Sequence, residues 1–286
     1  MLTELRAGPN TIRGVSVGGV YTSLAVPELG VLFDVGMPAR SLATLDYWLL
    51  SHGHSAHVGA LAAQLGIRAL HGKTNAPRVY MPAEIVDDLA AALAALSKLQ
   101  RWPLTIEAVG MHAGDELPLR GDLHVRAVQT FHPVPSLGYV LVRKISKLKS
   151  EYRGLPGAEI AALRRAGEPV SQIDERLELG YATDTLISVL DHAPELLRCG
   201  TLILESTFLD SRKARDAARA GCHIHLDEII ERADAFLQPE LSHLVLMHFS
   251  QLYHPHEIDG LLRARLPAAL YQKTLAFVDP SRPWPG

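Results

Sequence analysis

Apolar residues along the chain are gathered into short runs, each ended by a turn former or a polar residue. Runs that are rich in β-branched and aromatic residues predict buried strands, because such side chains pack well on a pleated sheet. The mixed segment from Val15 to Val26 has the same character and predicts β structure near the N-terminus. The other predicted strands are Val31–Phe33, Tyr47–Leu50, Leu104–Val109, Leu123–Thr130, Leu137–Val142, Leu179–Thr183, Leu202–Leu204 and Leu244–Met247.

Helical spacing of apolar residues appears between several of these runs. Strands and helices alternate without an internal repeat or a long linker, which is typical of an α/β layered fold. We therefore expect a single domain over residues 1–286. The predicted helices are His57–Leu65 with Gly66 as its C-terminal stop, an Ala/Leu-rich helix that has Pro82 near its N-terminus and runs to about Leu99, Ile224–Phe236, and one that starts at Pro255–Leu262.

One segment, at about residues 143–170, differs from the rest. Lysines and arginines surround Gly154–Gly157, and long apolar runs are missing between Arg143 and Pro169. This composition predicts a short basic arm or insertion rather than core. Its surface is either a solvated charged face or a contact surface for RNA phosphates.

Composition excludes several classes of protein. The chain has 48% hydrophobic residues over its 286 residues, which is too high a fraction for a disordered protein. Its formal net charge of −3 excludes a protein that binds nucleic acid with its whole surface. Two cysteines cannot form a disulfide framework. The first residues lack a signal-peptide pattern, and no apolar stretch is long enough to span a membrane. We expect a cytoplasmic protein that makes no membrane contact.

Metal-binding side chains follow the ends of several predicted strands. The carboxyl ends of parallel strands meet at one edge of a sheet, which is where α/β proteins place their sites. Imidazole and carboxylate groups suit Zn²⁺ or Mn²⁺. The residues in these positions are His52, His54, His57, His132, Asp184, Glu205 and His248.

The segment Ser51–His57 reads Ser-His-Gly-His-Ser-Ala-His and resembles the HxHxDH motif of the metallo-β-lactamase superfamily. Further segments follow in the order of that family, and some resemble its ribonuclease Z branch in particular. The resemblance extends from about residue 10 to 260. These segments are Leu32–Gly36, Phe131–His132, Ser136–Tyr139, Tyr181–Thr185, Leu204–Phe208 and His248–Tyr253.

The resemblance implies a four-layer αβ/βα sandwich with two metal positions at one edge, and a homodimer. It implies His52, His54, His132 and a bridging Asp184 at the first position. At the second it implies His57, Asp184 and His248, together with the Asp of the motif. Asp34 resembles a carboxylate that steadies the ligand loop. Glu205 and His223 match positions linked to proton donation to the leaving oxygen, with His225 as the alternative donor.

One departure from the family motif affects the chemistry. Ala56 stands where HxHxDH has its Asp, so the second position lacks a ligand. We expect one tightly bound zinc ion at the first position and weak binding at the second, with Mn²⁺ as another candidate ion. Leu204 also stands where this branch often has a polar residue, and the basic arm is shorter than in the branch.

The favoured function is that of a ribonuclease Z-like metal-dependent hydrolase of phosphodiester bonds. RNA, and the 3′ end of tRNA in particular, is the substrate that the resemblance implies. One alternative is a hydrolase of a small ester, a lactone or a cyclic nucleotide. The other is a catalytically degenerate protein that binds RNA or a partner without hydrolysis, because a fold does not by itself determine a function.

Overall fold

Two seven-stranded β-sheets form the middle of the fold in the computed structural model, which describes residues 2–284. The first sheet holds β1 to β7 in chain order, and the second holds β8 to β14. The strands of the first sheet are β1 (Thr3–Ala7), β2 (Asn10–Val17), β3 (Tyr21–Val26), β4 (Val31–Phe33), β5 (Tyr47–Leu49), β6 (Arg78–Pro82) and β7 (Glu107–Met111). Those of the second are β8 (Glu116–Arg120), β9 (Leu123–Gln129), β10 (Leu137–Leu148), β11 (Ser171–Ala182), β12 (Thr201–Glu205), β13 (His243–Met247) and β14 (Thr274–Ala276).

Both sheets repeat one topology. The strands from β1 to β4 are antiparallel and those from β4 to β7 are parallel. The second sheet is likewise antiparallel from β8 to β11 and parallel from β11 to β14. The parallel strands of each sheet therefore deliver their carboxyl ends to one edge.

Helices cover the outer faces of the sheets. Three apolar clusters fill the spaces between the layers: one lies between the two sheets, and one lies under each helical layer. In the cluster between the sheets, the rings of Phe33 and Tyr181 stack with their centroids 4.4 Å apart. This arrangement confirms the predicted four-layer αβ/βα sandwich. The helices are α1 (Ser55–Val58), α2 (Leu61–Leu70), α3 (Val86–Gln100), α4 (Gly157–Arg165), α5 (Val189–His192), α6 (Arg215–Ala220), α7 (Leu226–Glu231), α8 (Pro255–Arg265) and α9 (Ala268–Tyr271).

Two helix predictions are wrong in their bounds. The predicted helix from His57 is broken at Gly59–Ala60 into α1 and α2, and Gly66 lies inside α2 rather than at its end. The predicted helix Ile224–Phe236 is α7 followed by a 3₁₀ segment at Ala233–Leu237. Within residues 2–284, the helices are too short or too polar to cross a membrane.

The basic arm contains the end of one long strand and leads directly into another, and neither extension is predicted by the apolar pattern. β10 was expected to end at Val142 but continues to Leu148, and it pairs with β11 as an antiparallel ribbon. β10 pairs with β9 as far as Arg143, so the two-stranded ribbon begins after that residue, close to a register shift between Leu141 and Val142. The short helix α4 lies in the connection between the two strands. Because most side chains of the ribbon are polar or charged, the sequence has no apolar run that would predict these strands.

Candidate metal centre

Three histidines lie in and after the loop that follows β5. His52 comes first, His54 is the residue before α1, and His57 lies in the single turn of α1. Close backbone contact holds this loop against the end of β4, since a Cβ added at Gly36 would lie 1.8 Å from the carbonyl oxygen of Ala56. Glycine at position 36 therefore allows the loop to adopt this position.

The first group of ligand atoms joins this loop to the one after β9. His54 Nδ1 lies 3.1 Å from His52 Nε2 and 3.1 Å from His132 Nε2. His52 is fully buried, while His54 is exposed. Three imidazole nitrogens thus converge on one point at the edge of the sheets.

Asp184, two residues after the end of β11, lies between this group and two further histidines. Its Oδ2 is 3.9 Å from His52 Nε2. Its Oδ1 is 3.4 Å from His57 Nε2 and 3.2 Å from His248 Nε2. His248 follows β13, so the parallel strands of the second sheet bring these groups together as the strand-end pattern predicts.

Asp34, at the end of β4, orients the ligand histidines. Its Oδ2 lies 2.8 Å from His57 Nδ1 and accepts a hydrogen bond from the Tyr181 hydroxyl at 2.6 Å. Its Oδ1 accepts from the backbone N–H of Ser51 at 2.7 Å, and the Ser51 hydroxyl lies 2.9 Å from His52 Nδ1. Hydrogen bonds at Nδ1 leave Nε2 free for a metal ion, which is the usual arrangement around metal-binding histidines.

Glu205, at the end of β12, is a second buried carboxylate with several donors. Its Oε1 accepts from the backbone N–H of Thr185 at 2.7 Å and lies 3.1 Å from His223 Nδ1. Its Oε2 accepts from the Thr207 hydroxyl and from the backbone N–H of Ile224 at 3.2 Å. Glu205 thus holds the ring of His223, whose side chain is 19% exposed at the mouth of the site.

His225 occupies a different place from His223. It caps α7: its Nδ1 accepts from the backbone N–H of Asp227, and its Nε2 lies 3.1 Å from the carbonyl oxygen of Asp210. Both ring nitrogens are therefore engaged with backbone groups. The alternative role of His225 as a proton donor stays a prediction, and the geometry favours His223.

Ser51, Tyr181 and Thr207 are neighbours of these groups to which the sequence analysis assigned no role. The Thr207 hydroxyl lies 2.9 Å from His248 Nδ1 as well as bonding Glu205. Each of the three residues lies inside a segment that resembles the family, and that position is the only signal the sequence offers. Each of them also bonds a group that is distant along the chain: Ser51 and Tyr181 bond Asp34, and Thr207 bonds His248.

The histidines of the site differ in pKa because their charged neighbours differ. Burial and the neighbouring His57 lower the pKa of His52 to about 2. Burial also opposes protonation of His57, but the carboxylates of Asp184 and Asp34 outweigh it and raise the pKa of His57 to about 10. For Asp184, His248 and His57 overcome the effect of burial and hold its pKa well below the usual range.

The residues present fit a divalent metal ion. The Nε2 atoms of His57 and His248 are buried without a hydrogen-bond partner, and both face the Asp184 carboxylate. Buried polar groups are normally paired, so these two nitrogens indicate ligands of a metal ion. In the described part of the chain, three groups have ligand atoms within 4.8 Å of one another: His52, His54 and His132; His52, His57 and Asp184; and Asp184, His223 and His248.

The predicted second position is only partly reproduced by these groups. His57 and His248 each group with Asp184, but not in one common set of three. Ala56 contributes only a methyl group beside them. The first position is likewise reproduced only in its three histidines, with Asp184 outside that group, so both ligand sets stay predictions.

No protein-family model matches the chain. It is 34% identical over 270 residues to tRNase Z TRZ1 of Arabidopsis thaliana, covering 94% of this chain and 95% of that protein. The chloroplastic tRNase Z TRZ2 of the same plant is 32% identical over 250 residues, covering 86% and 69%. Among solved structures, the short form of human tRNase Z superimposes with a TM-score of 0.59 at 17% identity, covering 92% of this chain and 95% of that chain.

Proposed function

Because the chain belongs to the ribonuclease Z family of metallo-β-lactamase-fold proteins, we propose that it is a metal-dependent phosphodiesterase that processes the 3′ end of tRNA. The observation that carries this proposal is the position of Asp184 between the His52–His54–His132 group and the buried Nε2 atoms of His57 and His248, which form no hydrogen bond and lie 3.4 and 3.2 Å from its carboxylate. We propose one catalytic domain over residues 1–286, acting in the cytoplasm.

In this proposal His52, His54, His132 and Asp184 hold the first metal ion. Asp184 would share its carboxylate with a second, weaker position at His57 and His248. When bound there, Zn²⁺ supplies Lewis-acid chemistry at a phosphoryl oxygen, and Mn²⁺ accepts the same ligands. Asp34 and Ser51 keep the histidine rings oriented throughout.

We propose that water attacks the phosphorus and that His223 donates a proton to the leaving oxygen as the new P–O bond forms and the old one breaks. The proton lost by the attacking water passes to solvent. Burial disfavours its charged form, but the carboxylate of Glu205 raises the pKa of His223 to about 9, so the ring carries a proton at neutral pH. Its Nδ1 faces Glu205, which leaves Nε2 to face the substrate. After the transfer, Glu205 holds the neutral ring in place for reprotonation from solvent.

We propose that the cations near the end of the basic arm contact RNA. Three cations at its base are already paired: Arg143 with Asp122 and Glu178, Lys144 with Glu116, and Lys147 with Asp174. Four others have no carboxylate within 4 Å in the described residues, and we call these the tip cations. The tip cations are Lys149, Arg153, Arg164 and Arg165.

Unpaired cations attract phosphates more strongly than paired ones, so we propose that the tip cations contact tRNA. The family resemblance also supports a homodimer, which we propose as the state in solution.

A second candidate function is RNA binding without hydrolysis, and Ala56 is the observation that favours it. The motif carboxylate is a metal ligand in the family, and a methyl group cannot replace it. The fold and the tip cations would still bind RNA in that case.

The test combines a precursor tRNA carrying a 3′ extension with the generic phosphodiester bis-p-nitrophenyl phosphate. We expect the zinc-loaded protein to cleave both, Asp184→Asn to reduce both rates at least about 100-fold, and His112→Ala to be unaffected, since His112 is exposed and outside the ligand groups. Tight binding of the precursor by a protein that hydrolyses neither compound would instead establish the non-hydrolytic function.

A further inference from the structure

Phe208 is an aromatic residue at the metal edge that takes no part in the core. Its ring is half-buried, and it belongs to none of the three apolar clusters formed by residues 2–284. The ring centroid lies 6.2 Å from that of His223, at an interplanar angle of 77°. A large apolar ring beside the proposed proton donor is therefore free to contact a substrate.

Backbone contacts, rather than side-chain packing, hold Phe208 in place. Its carbonyl oxygen accepts from the N–H of Leu226 at 2.8 Å, and its own N–H bonds the carbonyl oxygen of Ile224 at 3.4 Å. It also forms an isolated parallel bridge with His225, just before α7. The main chain at Phe208 is thus held in place without any packing of the ring in the core.

The side chain of Lys213 lies next to the Phe208 ring. The ammonium group of Lys213 lies 5.4 Å from the Phe208 ring centroid. Within the described residues Lys213 has no carboxylate within 4 Å, whereas the neighbouring Arg212 is paired with Asp210 and Glu257. An aromatic face and an unpaired cation next to each other match the two parts of a nucleotide, its base and its phosphate.

We propose that Phe208 and Lys213 form a subsite for the nucleotide that carries the leaving oxygen. The base of that nucleotide stacks on Phe208, and Lys213 contacts a neighbouring phosphate. The assignment to this side of the scissile bond follows from His223, which protonates the leaving oxygen and contacts the Phe208 ring. The subsite rests on the proposed function, since it takes its nucleotide from the RNA that the metal centre cleaves.

The test compares Phe208→Leu with the wild type on three RNA substrates. One is unmodified, one lacks the base of the nucleotide carrying the leaving oxygen, and one lacks the base on the other side of the scissile bond. On unmodified RNA we expect Phe208→Leu to raise KM by about 5- to 100-fold with kcat changed by less than about 2-fold. On the first abasic RNA the variant and the wild type should be equal. On the second they should differ as they do on unmodified RNA.

Lys213→Gln provides an independent readout. It should lower the magnitude of the slope of log Kd against log salt concentration by about 0.7, the amount expected for one phosphate contact to a single strand. Phe208→Leu should leave that slope unchanged. Phe131→Leu is the matched control: Phe131 also lies at the metal edge, but it packs on the outer apolar cluster and against His192.

The subsite is overturned if Phe208→Leu loses the same factor on all three RNAs, or loses nothing on any of them. Metal content measured for each variant shows whether the ligand groups are intact. If the wild type binds RNA without cleaving it, the proposed function fails, and the same comparison made on Kd then decides whether the subsite exists.

Discussion

Three residues of the metal edge adopt the left-handed backbone conformation that is unusual for residues with a side chain. These are Asp34 with φ 54°, Asp184 with φ 43° and His248 with φ 63°, each within two residues of the end of a strand. Such conformations are kept only where the surrounding structure determines them. At these three residues the backbone turns out of the strand, and the side chain lies among the other polar groups of the metal edge. Each residue therefore ends the regular strand conformation and also contributes a polar side chain to the site.

Replacing Ala56 with Asp should strengthen the second metal position. The change restores a carboxylate beside His57, and we expect the affinity for a second zinc ion to rise at least about 10-fold. Zinc per chain, measured by elemental analysis after dialysis against buffered zinc, is the readout. Ser55→Asp adds the same charge at an exposed neighbouring position and serves as the control. An unchanged second affinity in Ala56→Asp would show that the missing carboxylate does not limit the site.

Thr207 should act through His248. A hydroxyl has one hydrogen, so if Thr207 donates to Glu205 its oxygen accepts from His248 Nδ1–H, which leaves Nε2 as a lone pair facing Asp184. Thr207→Val removes this acceptor, and we expect the affinity for the second metal ion to fall about 10- to 100-fold. Thr207→Ser should restore it. Chelator competition measures both variants, and equal metal affinity in Val and Ser variants would contradict the assignment.

At the scale of elements, the β10–β11 ribbon divides the basic arm into two parts with different roles. Ion pairs between the strands, such as Lys147–Asp174 at 2.9 Å, join the two strands of the ribbon. The paired cations therefore stabilise the arm. The tip cations lie beyond or beside these pairs. A segment that looks uniformly basic in sequence therefore contains one structural set of cations and one set available to a ligand.

Changing the four tip cations together to Gln should weaken RNA binding through its salt dependence. We expect the slope of log Kd against log salt concentration to become shallower by about 2 to 3. The control changes the three paired cations, Arg143, Lys144 and Lys147, to Gln. That control should leave the slope nearly unchanged and lower the free energy of unfolding modestly, by about 0.2–1 kcal/mol for each exposed pair lost. The reverse outcome would place the RNA contact on the ribbon.

On the scale of the whole molecule, the metal centre exists only where the two sheets meet. Asp34, His52 and His57 come from the first sheet and its loops, and Asp184 and His248 from the second. Main-chain contacts join the two sides, including a bridge between His52 and Ser136 and one between Gly18 and Ser250. Assembly of the ligands is therefore coupled to packing of the sheets.

Cys199 should report on that packing. Burial in the outer layer of the second sheet raises the pKa of its thiol to about 12, so the folded protein keeps it protonated and unreactive at pH 8. The half-buried Cys222 should react with iodoacetamide under native conditions, and Cys199 only as urea unfolds the chain. Peptide mass spectrometry measures both sites. Equal labelling of the two cysteines in native protein would contradict this expectation.

The same burial links stability to pH. The unfolded thiol ionises near pH 8.5, so stability from the protonated form is fully present below that pH. It is lost as the pH rises toward the folded value of about 12. The urea midpoint should therefore fall between pH 8 and pH 10, and fall less in Cys199→Ala.

The layered α/β class, the strand ends that carry histidines and carboxylates, and the absence of the motif carboxylate at Ala56 can all be predicted from the sequence. Local patterns suffice for these features, because apolar runs and motif spacing are properties of neighbouring residues. They could not determine the ribbon within the arm, whose strands are charged, or the break between α1 and α2.

The hydrogen bonds at the metal edge, in contrast, follow from the three-dimensional packing of the chain. The Tyr181 hydroxyl and Asp34 are 147 residues apart in sequence, and Thr207 and His248 are 41 apart. The choice between His223 and His225 also depends on where Glu205 and the start of α7 lie in space. Such contacts depend on how distant strands pack, and packing is decided by the whole chain rather than by any one segment of it.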